Sequence, residues 1–242
     1  MDHLLLRLGE QLYRVAPTMY RIAYSAYKAW SDRLERRLLT RLLSPGKTVV
    51  DVGANIGIYS EFFARRVGSD GAVFAFEPHP TNFGRLSRVP RHYPQVHCRQ
   101  AAVAEASGSL RLFISESLNV DHHTYDCADG RASIVVEAVA LDDFFTPGYP
   151  VHLIKIDVQG AELAVLKGAK RILQANRQIE VLFEYWPYGL KRAGASGAEL
   201  LRFLSDLGFQ CRGIASRQIG DLLLMPEHPL VYTNVHAQRM NQ

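Results

Sequence analysis

The chain has 242 residues, of which 48% are hydrophobic and 21% charged, and its net charge is +4. That length suits one α/β domain with a substantial core plus a small extra element, and the balance is that of an ordinary globular protein. No run of about 18 apolar residues is present, which excludes a bilayer-spanning helix. Arg7 and Glu10 interrupt Leu4-Leu5-Leu6 before a signal core develops, so a cytoplasmic location is expected.

The charge is concentrated at the start. Residues 1–44 hold eight basic and four acidic side chains, and the remainder balances 20 against 20. The main body therefore lacks the basic face of a nucleic-acid-binding domain. Residues 3–43 read as helix, with Tyr20, Tyr24, Tyr27, Leu34, Leu38 and Leu42 recurring at helical intervals and arginines between them. Pro17 divides a short first helix from a longer second one. The expectation is packing on the main domain with the arginines solvated. The same aromatic, basic stripe also suits peripheral contact with an acidic membrane through residues 1–43, a partner surface, or a cap over a substrate pocket. Ser44-Pro45-Gly46 marks the boundary between a helical extension, 1–44, and the main domain, 45–242.

From residue 47 strands and helices alternate: strand 48–52, helix 57–67, strand 72–77, helix 80–88 and strand 95–100. Alternation of this kind predicts a Rossmann-like, doubly wound, mainly parallel sheet with right-handed crossovers. The rhythm changes at 101–140, where a short strand, 110–114, and a β-rich run, 133–139, flank a polar loop over 115–131. An inserted antiparallel pair is predicted there. Strand 152–156, helix 161–174, strand 179–184 and helix 196–207 resume the pattern, and 209–214 with 230–235 supply the last strands. Cys98, Cys127 and Cys211 are widely spaced, with no CxxC pair, and fit a reducing compartment without a zinc site.

The strand at 48–52 runs into a glycine turn, Asp51-Val52-Gly53-Ala54-Asn55-Ile56-Gly57, where α/β sheets bind nucleotides. Gly53 and Gly57 are expected to let the backbone approach a ligand. The dinucleotide fingerprint needs a small residue where Asn55 stands, and a carboxylate at Asp51 would repel pyrophosphate but attract the ammonium of a methionine moiety. These two residues favour S-adenosylmethionine over NAD. Glu77 ends the second strand, where an acid accepts both ribose hydroxyls.

The runs Val49-Val50-Asp51-Val52-Gly53-Ala54-Asn55-Ile56-Gly57 and Phe76-Glu77-Pro78 resemble class I methyltransferases. Ile154-Lys155-Ile156-Asp157-Val158-Gln159-Gly160-Ala161-Glu162, Val165-Leu166-Lys167-Gly168-Ala169 and Val181-Leu182-Phe183-Glu184 are together similar to the FkbM family of S-adenosylmethionine-dependent methyltransferases. The family pattern has Glu where Gln159 stands. The resemblance spans about 47–215 and implies O-methylation of a small-molecule or glycan hydroxyl. It also implies cofactor contacts from Asp51, Gly53, Asn55, Gly57 and Tyr59, a ribose side at Glu77, Pro78 and Asn82, and small residues, Ala101 and Ala102, beside adenine.

Asp157 ends the fourth strand, where parallel sheets place reactive groups. It is a candidate general base, acceptor-orienting group or methionine contact, and alternatively a cap for the helix that follows. His122 and His123, in the loop 119–126, are the other candidate bases. A metal site from Asp121, His122 and Asp126 lacks supporting spacing, and no metal is expected. Glu184-Tyr185-Trp186-Pro187 closes the fifth strand and offers aromatics for an acceptor pocket. The rival readings are an NAD-dependent oxidoreductase, a methyltransferase acting on RNA or protein, and a non-catalytic membrane-docked module.

Overall fold

The computed structural model describes residues 13, 15–115, 121–126, 128–214 and 218–239. The expected helix over 3–12, Asn119 and Val120 of the histidine loop, and Cys127 lie outside them. Two N-terminal helices, α1 (Pro17–Ser31) and α2 (Arg33–Leu42), precede the sheet. Pro17 begins α1 and so separates it from the helical residues 13 and 15, as expected, since a first-turn proline loses no hydrogen bond.

Then come β1 (Thr48–Val52), α3 (Ile58–Val67), β2 (Ala72–Phe76), α4 (Pro80–Leu86) and β3 (Val96–Arg99). A small sheet follows, with β4 (Ala102–Val103), β5 (Gly108–Phe113) and β6 (Ser133–Val139). The main sheet continues through α5 (Leu141–Phe144), β7 (Leu153–Ile156), α6 (Glu162–Lys167), α7 (Lys170–Ala175) and β8 (Glu180–Tyr185). The chain closes with α8 (Pro187–Arg192), α9 (Gly197–Asp206), β9 (Phe209–Gly213), α10 (Ile219–Leu223) and β10 (Thr233–Arg239).

The seven-stranded sheet has the order β3-β2-β1-β7-β8-β10-β9. Its first five strands are parallel, and β10 runs antiparallel to both neighbours. This is the doubly wound, Rossmann-like arrangement. Every residue of β1 is buried, because helices cover both faces of a central parallel strand. Side chains alternate between those faces. Val50, Ile154, Val181 and Phe183 enter one core, while Val49, Leu153 and Leu182 enter the other, which Phe63 of α3 and Leu39 of α2 complete.

The inserted antiparallel pair is β5 and β6, and β4 adds to it in parallel as a third strand. Ala101 and Ala102 therefore lie beyond β3. The chain leaves the main sheet after Arg99, and Ala102 opens β4. The helix expected over 161–174 is two helices, broken at Gly168, where a side chain would collide with the Ala104 carbonyl oxygen at 2.0 Å. Strand β10 lies three residues later than the pattern suggests, and α8 and α10 had no signal in it.

Candidate active site

A cavity of about 840 Å³ opens at the carboxyl ends of β1, β2 and β7. It gathers Gly53, Asn55, Tyr59, Glu77, Pro78, Asn82, Ala101, Ala102, Asp157 and His122 from segments scattered along the chain. Parallel strands bring their carboxyl ends to one edge, so these residues converge. The inner face of α1 closes the cavity with Tyr20, Tyr24, Tyr27 and Lys28, so the N-terminal segment is a wall of the site. Asp51, Gly57 and His123 are not on the wall.

At one end, Glu77 is buried and accepts the backbone N–H groups of His79 and Asn55, each at 2.9 Å. Burial pushes its carboxyl up to about 7 despite these bonds. Asn55 adopts a left-handed conformation, φ 51°, which turns its N–H toward Glu77 and which asparagine tolerates better than most side chains. Asn82 is buried and accepts the Tyr13 hydroxyl at 2.5 Å. Ala101, Ala102, Val103 and Leu112 add small and apolar side chains to the cavity lining.

The glycine turn works differently from the expectation. Gly53 has φ 77°, and a Cβ there would meet the Asp157 carbonyl oxygen at 2.0 Å. Gly57, φ 87°, caps α3, and its Cβ would strike Val89 at 2.7 Å and Leu86 at 3.0 Å. A side chain at either would strike neighbouring protein; Gly53 still borders the cavity, whereas Gly57 does not. Asp51 lies beneath the cavity. Its Oδ2 accepts the Ser60 hydroxyl at 2.7 Å, and its Oδ1 is buried without a hydrogen bond, 4.0 Å from the Lys155 ammonium. Burial pushes the carboxyl up and Lys155 opposes that. Asp51 therefore bears on the pocket through Lys155, not by direct contact with an ammonium.

Lys155 is the site residue that the sequence reading passed over. It stands beside Asp51 in register on the sheet face that α1, α2 and α3 cover. Its Nζ lies 3.3 Å from Asp157 Oδ2 and 4.8 Å from the centre of the Tyr59 ring. Burial alone would raise the Asp157 carboxyl, but Lys155, Lys28 and the amide of Gln159 hold it below the usual range. Gln159 Nε2 donates to Asp157 Oδ1 at 3.3 Å and to Glu184 Oε2 at 2.9 Å. Burial, then the charges of Asp157 and Glu162, hold Glu184 well above the usual range. The wall thus carries two carboxyls joined by an amide, one held low and the other high. Asp157 does not cap α6. The loop N–H groups of Val158 and Gly160 go to Glu162 Oε1, at 3.4 and 3.1 Å.

The Tyr59 hydroxyl sits between Asp32 Oδ2 (2.9 Å) and Glu35 Oε2 (2.8 Å). It has one proton, so the second contact needs a protonated partner. Burial and Asp32 hold Glu35 above the usual carboxylate range, which favours it for that proton. These groups, with Lys28 and Lys155, line a polar chamber of about 240 Å³ that adjoins the main cavity. Tyr59 thus both lines the cavity and fixes α2 to α3.

The two histidines part company. His123 is buried, with Nδ1 3.2 Å from the Gln159 carbonyl oxygen and Nε2 2.9 Å from Asp121 Oδ1. It pins the loop to Gln159 and offers no free nitrogen to a substrate. His122 lines the cavity, stacked on His79 at 4.1 Å. Burial and His79 lower it to about 4, so it is neutral near pH 7. Its Nδ1 accepts the Ser115 N–H at 3.2 Å, which places the ring proton on Nε2. That orientation makes His122 a donor rather than a base. Among the described residues, no cluster of three or more His, Cys, Asp or Glu side chains is arranged to hold a metal ion.

Trp186 lines the cavity and donates from Nε1 to the Pro229 carbonyl oxygen at 3.1 Å, while Tyr185 is buried in the core.

The family pattern described as Methyltransferase FkbM domain matches residues 51–211. A methyltransferase from Sordaria araneosa, sdnD, is 30% identical over 154 residues, covering 50% of this chain and 59% of its own. The hexuronic acid methyltransferase AglP of Haloferax volcanii is 28% identical over 142 residues, 57% of this chain and 56% of its own. The chain thus spans under two thirds of the length of these relatives. Among solved structures, a protein from Clostridium thermocellum described as an rRNA methylase superposes with a TM-score of 0.52 at 12% identity, covering 86% of this chain and 94% of that one. A protein from Streptococcus mutans described as a methyltransferase, in complex with SAH, gives 0.52 at 11% identity, covering 86% and 97%. These likenesses establish the shared fold.

Proposed function

The chain belongs to the FkbM methyltransferase family, and from that membership we propose that it transfers a methyl group from S-adenosylmethionine to a hydroxyl oxygen of a small molecule or glycan. The cavity fits the cofactor: its volume is that of a site for a nucleoside and an acceptor together. Glu77 offers two carboxylate oxygens to a ribose, and the small side chains of Ala101 and Ala102 leave room for a flat ring. S-adenosylmethionine, when bound, supplies a methyl group activated by its sulfonium.

The observation that carries the reading is the Asp157–Gln159–Glu184 row at the cavity wall. Two carboxyls whose surroundings push them apart are suited to separate roles. Ionised Asp157 accepts the hydroxyl proton of the acceptor, and neutral Glu184 donates a hydrogen bond that orients it. Holding the acceptor in line supplies much of the acceleration in a displacement with a neutral leaving group. Trp186 beside this row offers a face for a sugar ring. The name of the Haloferax volcanii relative, a hexuronic acid methyltransferase, supports a sugar acceptor.

The test is a panel of hydroxylated sugars and small molecules incubated with S-adenosylmethionine and followed by product mass and fragmentation. Methyl ethers on oxygen are expected. Methylation confined to nitrogen or carbon acceptors, or tight binding of NAD without binding of S-adenosylmethionine, overturns the reading.

A further inference from the structure

Helix α1 has two apolar faces, and the cavity uses only one. Tyr20, Tyr24 and Tyr27 face inward. On the opposite side Met19, Ile22 and Trp30 are 64%, 67% and 69% exposed, and Val15, just before the helix, is more exposed still. At 3.6 residues per turn, Met19, Ile22, Ala26 and Trp30 fall within an arc of about 80° along a helix roughly 22 Å long. A continuous outward stripe of large apolar side chains is not the surface of a helix that only packs inward.

The charge beside the stripe identifies what covers it. Arg33, Arg37 and Arg41 recur every four residues on α2, all exposed, and among the described residues none is paired with a carboxylate. Arg33 reaches back to the Trp30 carbonyl oxygen, so the basic row begins where the apolar stripe ends. The whole net charge of the chain resides in residues 1–44. Tyrosine and tryptophan with arginine, on a helix of large apolar outer face, is the chemistry of an interfacial helix on an anionic bilayer. At the cavity mouth Leu230 and Tyr232 are also exposed and line the opening with Tyr27, so apolar surface continues to the rim.

We propose that the outer face of α1, with the arginine row of α2, docks this protein onto an anionic phospholipid surface, with the cavity wall built on the other side of the same helix. Docking does not depend on the acceptor's identity. A second copy of the chain or a protein partner would cover the stripe as well, but neither calls for an unpaired basic row at its end.

The test uses the full chain with vesicles of phosphatidylcholine alone or mixed with phosphatidylglycerol, read by flotation and by tryptophan emission. Flotation is expected only with phosphatidylglycerol, weakening as salt rises, with a blue shift that Trp30→Phe removes. Replacing Arg33, Arg37 and Arg41 by Gln should lower vesicle affinity about 100-fold, at roughly 1 kcal/mol per arginine. Met19→Gln with Ile22→Gln should also prevent flotation. In both variants unchanged circular dichroism shows that the fold is intact. Absence of flotation by the native chain overturns the proposal. So does flotation that survives both sets of substitutions, or lipid-independent dimerisation that Met19→Gln with Ile22→Gln abolishes.

Discussion

The Lys155 ammonium stands 3.3 Å from Asp157 Oδ2 at the end of β7, with Asp51 Oδ1 4.0 Å away on its other side. A lysine so placed is an electrostatic device: it keeps Asp157 ionised inside a wall that would otherwise protonate it. It also neutralises a buried aspartate that has no hydrogen bond on one oxygen.

Lys155→Met should therefore move the acid limb of the kcat/KM profile to higher pH. The sign follows from the direction of the shift. Asp157 is held low, so it is the working base down to acidic pH. Without the cation burial prevails, and a higher pH is needed to ionise it. Activity should recover in part at alkaline pH. Stability should fall by about 3 kcal/mol, because the buried Asp51 loses its cation, while Asp157 is partly open to the cavity. A profile whose limb stays in place while stability drops would reduce Lys155 to a scaffold role.

Asp157→Asn keeps the shape and the Gln159 contact but removes the proton acceptor. Turnover should fall by about 100-fold or more, the range for loss of a general base, with S-adenosylmethionine affinity nearly unchanged by calorimetry. Unchanged turnover would remove Asp157 from proton transfer.

Glu77 predicts a pH-dependent cofactor affinity. Its carboxyl is pushed up to about 7 by burial, and in the ionised form each oxygen, besides the backbone N–H it accepts, keeps a lone pair for a hydroxyl. Affinity should rise as pH increases through 7, with proton release detectable by calorimetry in buffers of different ionisation enthalpy. The stability of the cofactor-free protein runs the other way. A raised carboxyl binds its proton more tightly folded than unfolded, so Glu77's contribution declines as pH rises from about 4.5 to 7. Glu77→Ala should weaken binding on the order of 100-fold, two charge-assisted hydrogen bonds at about 1.5 kcal/mol each.

The main sheet was legible because central parallel strands are unbroken apolar runs, as in Val49-Val50 or Leu153-Ile154. The cavity residues at the ends of β1, β2 and β7 followed from strand position together with the glycine turn and the family resemblance. Lys155 was hidden for the same reason. Inside Leu-Ile-Lys-Ile its charge reads as an exception to a strand, and only the register beside Asp51 gives it a role. Gly57 was misread as a ligand approach because a positive φ is visible in a glycine's type, whereas the atoms that a Cβ would strike belong to a distant segment. Gly168 broke α6 from α7 through Ala104, again a contact made across the fold.

Gly53→Ala tests that account of the turn. The new Cβ would meet the Asp157 carbonyl oxygen at 2.0 Å in a conformation, φ 77°, that alanine disfavours. The variant should lose roughly 3 kcal/mol, or about 6–12 °C in Tm for a chain of this size. Turnover should fall with it, since relief of the clash displaces Asp157. A stable, active Gly53→Ala would show that the turn yields at little cost.

His122→Asn separates the histidine from the carboxylate as proton acceptor. The imidazole is held neutral, lowered to about 4 by burial and by the stacked His79. A base titrating near 4 with its free lone pair given to Ser115 N–H cannot take a proton from a substrate without reorienting. Its Nε2–H is buried without a partner among the described residues and suits donation to a ligand in the Glu77 end of the cavity. His122→Asn should accordingly weaken S-adenosylmethionine binding by about tenfold, one hydrogen bond at roughly 1 kcal/mol or slightly more. The kcat and its acid limb should stay as in the native chain. If kcat fell as far as in Asp157→Asn while affinity held, the proton would have to pass through the loop histidine.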